Sequence, residues 1–145
     1  MIGKTSLQIS RRNLCLLLPS LAAAPAGAAE TRQLPSKIYL FEDLPVHKNG
    51  ENSSRPVFQG TNHSGIPLEL HETDLPPGGR PHPPHHHEHE EMFMIREGTL
   101  EVTIEGQTTR IGPGSVAYVA SNQEHGVRNP GPDHAHYFVF ALGAQ

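Results

Sequence analysis

Cysteine is almost absent from this chain. One thiol, Cys15, occurs in 145 residues. It lies inside an N-terminal stretch expected to be removed, so disulfides and thiolate metal ligands are excluded from the remainder. Excess positive charge is lacking too: eleven Lys and Arg stand against fifteen Asp and Glu, a formal charge of −4. An acidic chain without a basic patch argues against nucleic acid and against anionic membrane surfaces as partners. No apolar run is long enough to span a bilayer; Leu14 to Ala24 is only about a dozen residues. After residue 30 there is no sustained helical period, no internal repeat and no second compositional unit. The chain reads as one small domain.

The first thirty residues form a separate unit. Lys4, Arg11 and Arg12 give a basic start with no acidic residue before Glu30, and the apolar run is followed by "APAGAAE". That order describes an export signal, with cleavage after Ala28 or Ala29. The stretch "SRRNLCL" resembles the twin-arginine export motif, with Ser10, Arg11 and Arg12 in place. Leu14 stands where that motif usually has Phe, and Leu16 where it often has Lys; a general secretory signal is the alternative. The expected organisation is a signal over residues 1–29 and a single domain over 30–145, exported to the periplasm. Removing the signal takes away three basic residues and no acidic one, which moves the charge from −4 to −7.

Short apolar or alternating runs fill the rest, each bounded by Gly, Pro, Asn or Asp. They are "KIYLF" (37–41), "PVFQGT" (56–61), "IPLELHET" (66–73), "EMFMIRE" (91–97), "TLEVTIE" (99–105), "QTTRI" (107–111), "SVAYVA" (115–120), "HGVRN" (125–129) and "HYFVFAL" (136–142). In "TLEVTIE" the alternation puts Leu100, Val102 and Ile104 on one face and Glu101, Thr103 and Glu105 on the other. Glu105-Gly106-Gln107 then makes a tight hairpin turn, with Gly106 taking a positive φ. Residues 42–55 are a loop by composition. Many short strands at this spacing predict an all-β, antiparallel sandwich or barrel.

All eleven histidines follow residue 30, and four of them crowd into "HPPHHHEHEE" (82–91) with a fifth at its start. Side chains alternate along an extended chain, so His85 and His87 share a face while His86 points away. Two such imidazoles can reach a common ion, and Glu91, opening the next strand, can close on the same point. Gly79 lies six residues before His85 and Gly98 seven after Glu91.

That pattern, G-x5-H-x-H-x3-E-x6-G, resembles the first motif of the cupin superfamily at every fixed position. The second motif, G-x5-P-x-G-x2-H-x3-N, is met by Gly114, His125 and Asn129. Ala120 replaces its proline and Asn122 its turn glycine; Asn tolerates positive φ, so the turn is kept. The resemblance covers residues 66–142. It implies a small antiparallel jelly-roll β-barrel with a metal in its mouth, held by His85, His87, Glu91 and His125. Neutral imidazoles plus a carboxylate suit Fe or Mn, and also Zn, Ni, Cu or Co. Four protein ligands on a six-coordinate ion leave two places for a chelating substrate, water or dioxygen.

The implied activity is that of an oxygenase on a small metal-chelating organic molecule, with Glu91 as the catalytic carboxylate. A non-oxidative lyase, decarboxylase or isomerase remains open, as does a binder without turnover. Arg80, Tyr118, Phe138 and Phe140 are the candidate substrate contacts, although either face of "HYFVFAL" could line the barrel. Glu90, Glu124, Tyr118 and Tyr137 are candidate bases. His86 and His89 are expected to face solvent or to support the ligands from outside, His82 to sit at the surface, and Arg96 to be solvated. Unprotected sheet edges raise the expectation of a homodimer.

Overall fold

The computed structural model describes residues 33–143. The expected export signal, Cys15 included, lies outside the described residues. Nine strands follow a short 3-10 turn at Phe41–Asp43: β1 His47–Asn49, β2 Asn52–Thr61, β3 Pro67–Leu75, β4 Glu90–Glu97, β5 Leu100–Ile104, β6 Gln107–Ile111, β7 Val116–Val119, β8 His125–Arg128 and β9 Ala135–Leu142. They build a six-stranded sheet, β1-β2-β3-β9-β4-β7, and a three-stranded sheet, β6-β5-β8. Every pairing between named strands is antiparallel. The described residues form the all-β cupin-type jelly roll that the strand spacing and motifs predict.

Alternation decides what each sheet buries. On β5, Leu100 and Val102 are buried while Glu101 turns out to meet Arg110 at 3.1 Å and Arg128 at 3.6 Å. On β9, Ala135, Tyr137, Val139 and Ala141 are buried in strict alternation. With Leu75, Phe93, Ile95, Val119 and Val127 they fill the space between the sheets. The hairpin at Glu105-Gly106 has φ of 48° and 76°, the left-handed pair that a two-residue turn requires. Asn122 keeps its turn at φ 62°.

Two expectations about strands change. "KIYLF" makes no strand: Ile38 is 84 % exposed, and the segment touches the sheet through the Tyr39–Phe58 ring contact. The outer edge of β2 is taken instead by β1, through His47↔Ser54 and Asn49↔Asn52. Part of the expected loop 42–55 is therefore a hairpin.

Two polar anchors tie the barrel ends together. Asn129 is fully buried; its Nδ2 donates to the carbonyls of Leu75, Pro76 and Asp133 at 3.0, 3.1 and 2.8 Å, and its Oδ1 accepts from Gly131 N at 2.9 Å. Glu72, 1 % exposed, is met by His136 at 3.0 Å, Arg96 at 3.4 Å and Arg55 at 3.8 Å. Both guanidinium groups also lie over the Phe41 ring, at 4.8 and 4.5 Å. Arg96 is thus a structural partner, not the solvated residue expected, because a buried carboxylate has to be compensated.

Candidate metal centre

The run that opens with His82 folds against β8. His85 and His125 exchange backbone hydrogen bonds (N to O 3.0 and 2.8 Å), and Asn122 N donates to the His87 carbonyl at 2.8 Å. Outside that isolated bridge His85–His87 are not in a strand, yet the extended geometry keeps the predicted parity: His86 is exposed while His85 and His87 turn inward. β8 supplies His125, 1 % exposed, and β4 supplies Glu91. The three imidazole centroids lie 5.2, 4.7 and 4.8 Å apart, close to an equilateral triangle.

Local hydrogen bonds set which nitrogens converge. His87 Nδ1 donates to the His89 carbonyl at 2.8 Å, and His125 Nδ1 to the Gln123 carbonyl at 2.9 Å. A carbonyl can only accept, so in each neutral ring Nε2 carries the lone pair. Those two nitrogens face acceptors: His87 Nε2 lies 3.4 Å from Glu91 Oε1, and His125 Nε2 lies 3.3 Å from Glu91 Oε2. Neither contact has hydrogen-bond alignment. His85 Nδ1, His87 Nε2 and His125 Nε2 are all buried polar atoms without a hydrogen-bond partner among the described residues. The lone pairs of His87 and His125 facing a carboxylate repel it unless a proton or a cation lies between them. The cluster His85, His87 and His125, with ligand atoms within 4.8 Å of one another, could hold a metal ion, and its chemistry fits one.

The electrostatics differ from one group to the next. Burial pushes the Glu91 carboxyl up, but contact with His125, the charge of His87 and the His89 hydrogen bond outweigh it and hold the group at about 2. His85 is lowered, first by burial and then by His82, His125 and His87, which favours the neutral form a ligand needs. His125 is raised by Glu91 against the effect of burial.

His89 has a larger part than its position in the turn predicts. Its ring stacks on His87 at 3.5 Å and 6°, and its Nε2 lies 3.3 Å from Glu91 Oε1. His87, His89 and Glu91 form a second group with metal-holding geometry.

A cavity of about 260 Å³ opens over the centre, lined by Glu91, His125, Phe93, Tyr137 and Val139 and by polar groups of β1 to β3. The expected substrate contacts lie elsewhere. Cross-strand register puts Leu70, Phe140, Met92 and Tyr118 in one row on the outer face of the large sheet, with Phe58 opposite Leu70. Phe138 shares that face, next to Glu72 and Met94. The cavity takes the other parity of β9, Tyr137 and Val139, because each step along a strand reverses the side chain. Tyr118 is 52 % exposed, and its phenol is raised by a hydrogen bond to Glu90. Arg80 is exposed and lines a separate groove with Glu101 and Arg128; its carbonyl accepts from Asn52 Nδ2 at 2.8 Å. Glu124 is exposed. His82 is exposed as expected, yet it borders the cavity with its ring 4.1 Å from that of His85.

Residues that sequence reading missed include His47, Asn52, Ser54, His71 and Thr73. The available signal was polar residues on one parity of "IPLELHET", where an apolar inner face would be expected.

Comparison with known proteins agrees with this architecture. Residues 71–141 match the family model described as "Cupin domain". No curated protein matches the chain. Among solved structures it resembles KdgF from Halomonas sp. (TM-score 0.66, 18 % identity, 77 % of this chain and 96 % of that one). It also resembles the polyketide cyclase RemF from Streptomyces resistomycificus (0.61, 20 %, 74 % and 80 %). A third is described as a predicted oxalate decarboxylase from Thermotoga maritima (0.62, 15 %, 74 % and 100 %). At these identities the likeness is one of fold. Motif spacing, strand order and family match converge: residues 71–141 match the cupin domain, and the described residues have the cupin jelly-roll fold.

Proposed function

We propose that the protein is a metal-dependent enzyme acting on a small organic molecule that chelates the metal, with His85, His87, His125 and Glu91 as ligands. The observation that carries this is the clustering of three partnerless buried nitrogens of His85, His87 and His125, two of them against Glu91, beside a cavity that Glu91 and His125 line. Fe or Mn is the proposed ion. When bound, it supplies Lewis acidity to a chelating substrate and, being redox-active, a route to dioxygen. The chain's own residues position and insulate: the carbonyls of His89 and Gln123 hold two ligand rings, and Phe93, Val127 and Val139 keep one side of the cavity apolar. Glu91, held ionised, is assigned as catalytic carboxylate as well as ligand.

An oxygenase is the first reading of the reaction. Fe-loaded protein should then take up dioxygen with at least one member of a panel of small acids and diols, and Glu91→Ala should abolish the uptake. Equal turnover under nitrogen overturns the oxygenase and supports a lyase or isomerase. His71, paired with Glu69, lines the same cavity and is available as a proton acceptor to either reaction. Saturable binding without product under either atmosphere would identify a binder.

Residues 1–29 are proposed to direct twin-arginine export, in which a protein crosses already folded. The ion is then acquired in the cytoplasm, before Cu and Zn, the tight-binding end of the divalent series, can compete outside. Replacing residues 1–29 with a general secretory signal should shift bound metal towards Cu or Zn; unchanged content refutes the coupling. Any homodimer is proposed to form along β7, an edge of the large sheet with exposed Val116 and Tyr118, and sedimentation of the exported protein tests it.

A further inference from the structure

The wall of the cavity that β3 supplies carries a pair of groups that the metal centre does not use. Glu69, His71 and Thr73 alternate onto the inner face of β3. Register places Glu69, Ala141 and Glu91 side by side across β3, β9 and β4, and His71, Val139 and Phe93 in the next row. Glu69 and Glu91 therefore flank the smallest side chain in their row, two strand spacings or about 10 Å apart along the sheet. His71 sits one step on and lines the cavity with Glu91 and His125.

His71 Nδ1 donates to Glu69 Oε1 at 3.1 Å, with the two side chains 28 % and 29 % exposed. A carboxylate on Nδ1 fixes the tautomer, leaves Nε2 as the nitrogen that can take a proton, and stabilises the imidazolium that results. The remaining lining narrows the substrate. Among the described residues no Lys or Arg borders the cavity, so they offer no fork or ammonium to hold a phosphate or a second carboxylate. Asn49, Asn52, Ser53, Ser54 and Thr73 offer amides and hydroxyls instead. The other titratable groups facing this space are His47, His82, His125, Glu91 and Tyr137.

We propose that His71, positioned by Glu69, is the proton acceptor for an uncharged, hydroxyl-bearing chelator such as a vicinal diol, catechol or enol, bound between the metal ligands and the β3 wall. In that step the substrate O–H bond breaks and a bond forms from its proton to His71 Nε2. The electron pair stays on the substrate oxygen, which becomes a stronger donor; nothing is oxidised or reduced. The proposal rests on the metal-dependent reading, and it serves an oxygenase and an isomerase alike, since both need the chelator ionised.

The test uses catechol as probe and zinc as a redox-inert ion. Zinc-loaded protein is titrated with catechol in a calorimeter at about pH 8, above the ordinary imidazole range. Two buffers of different ionisation enthalpy report the protons released. Wild type should release about one proton fewer than His71→Gln, because His71 retains it. His71→Gln should bind catechol about tenfold more weakly, the size of a lost supporting contact at a metal site, with zinc content and melting temperature unchanged. Glu69→Gln should fall between the two, and it makes the same comparison if His71→Gln fails to fold. Equal proton release and equal affinity in wild type and variants overturn the proposal. So does wild-type protein that holds zinc stoichiometrically and ignores catechol, a result that leaves the metal centre standing. Wild type that holds no zinc overturns both.

Discussion

His85 and His125, forty residues apart in sequence, exchange both backbone hydrogen bonds and bring their rings to 4.7 Å. One bridge joins the two motif segments, and the geometry of the candidate metal centre follows from it. Replacing His85, His87 or His125 with Ala should each cost more metal affinity than the roughly 10–100-fold expected for loss of a supporting residue. His86→Ala should leave metal content unchanged, since His86 faces solvent. Chelator competition measures this, and equal losses from His86→Ala and His87→Ala would contradict the register.

His89 should behave as a support. Its stack on His87 and its contact with Glu91 orient two ligands at once. His89→Ala is expected to weaken metal binding by roughly 10–100-fold while stoichiometry stays at one ion. Full loss of the ion would instead make His89 a ligand through the group it forms with His87 and Glu91. Spectra of Cu-loaded wild type and variant distinguish the two.

Asn129 should matter for stability rather than for metal. Removing its amide leaves the Leu75, Pro76 and Asp133 carbonyls and the Gly131 N–H without their partner. Asn129→Ala is expected to cost about 2–3 kcal/mol in urea unfolding. Asn129→Asp should cost at least as much, because an acceptor would then face three acceptors. A change within about 0.5 kcal/mol, the range of an ordinary surface substitution, would contradict this account.

Tyr137 sets a limit at high pH. Burial raises its phenol, against a hydrogen bond with Thr73 that lowers it. The folded value therefore lies above the unfolded value of about 10, so the stabilisation is complete below about pH 10 and is lost as pH rises further. Between about pH 9 and pH 11 wild type should lose more stability than Tyr137→Phe, which packs alike and cannot ionise. Parallel melting curves across that range would rule out the buried phenol as the cause.

Gly98 is held by close approach. At φ 76° a Cβ there would lie 2.5 Å from the His134 carbonyl oxygen and 2.7 Å from Ala135 Cα, both backbone atoms that cannot swing aside. Gly98→Ala should therefore destabilise the fold by more than the roughly 1 kcal/mol of a simple glycine effect, as thermal unfolding would show.

Local sequence determined a good deal. Alternation in "TLEVTIE" marked the buried face of β5, and Gly106 and Asn122 announced turns that do have positive φ. The parity of His85 and His87 against His86, with Glu91 four residues beyond His87, marked the groups that meet. These features depend on one strand or one turn at a time, where side-chain direction follows from residue spacing alone. Tertiary structure decided the rest. Both faces of "HYFVFAL" are apolar, so nothing local could choose between them. Pairing of β9 with β3 and β4 turned Tyr137 and Val139 inward and left Phe138 and Phe140 on the outer face with Tyr118. Arg96 read as solvated because its partner Glu72 is twenty-four residues away on another strand. The pairing of His71 with Glu69 is local, but only the closing of two sheets around a shared cavity brings that pair to the same space as Glu91 and His125.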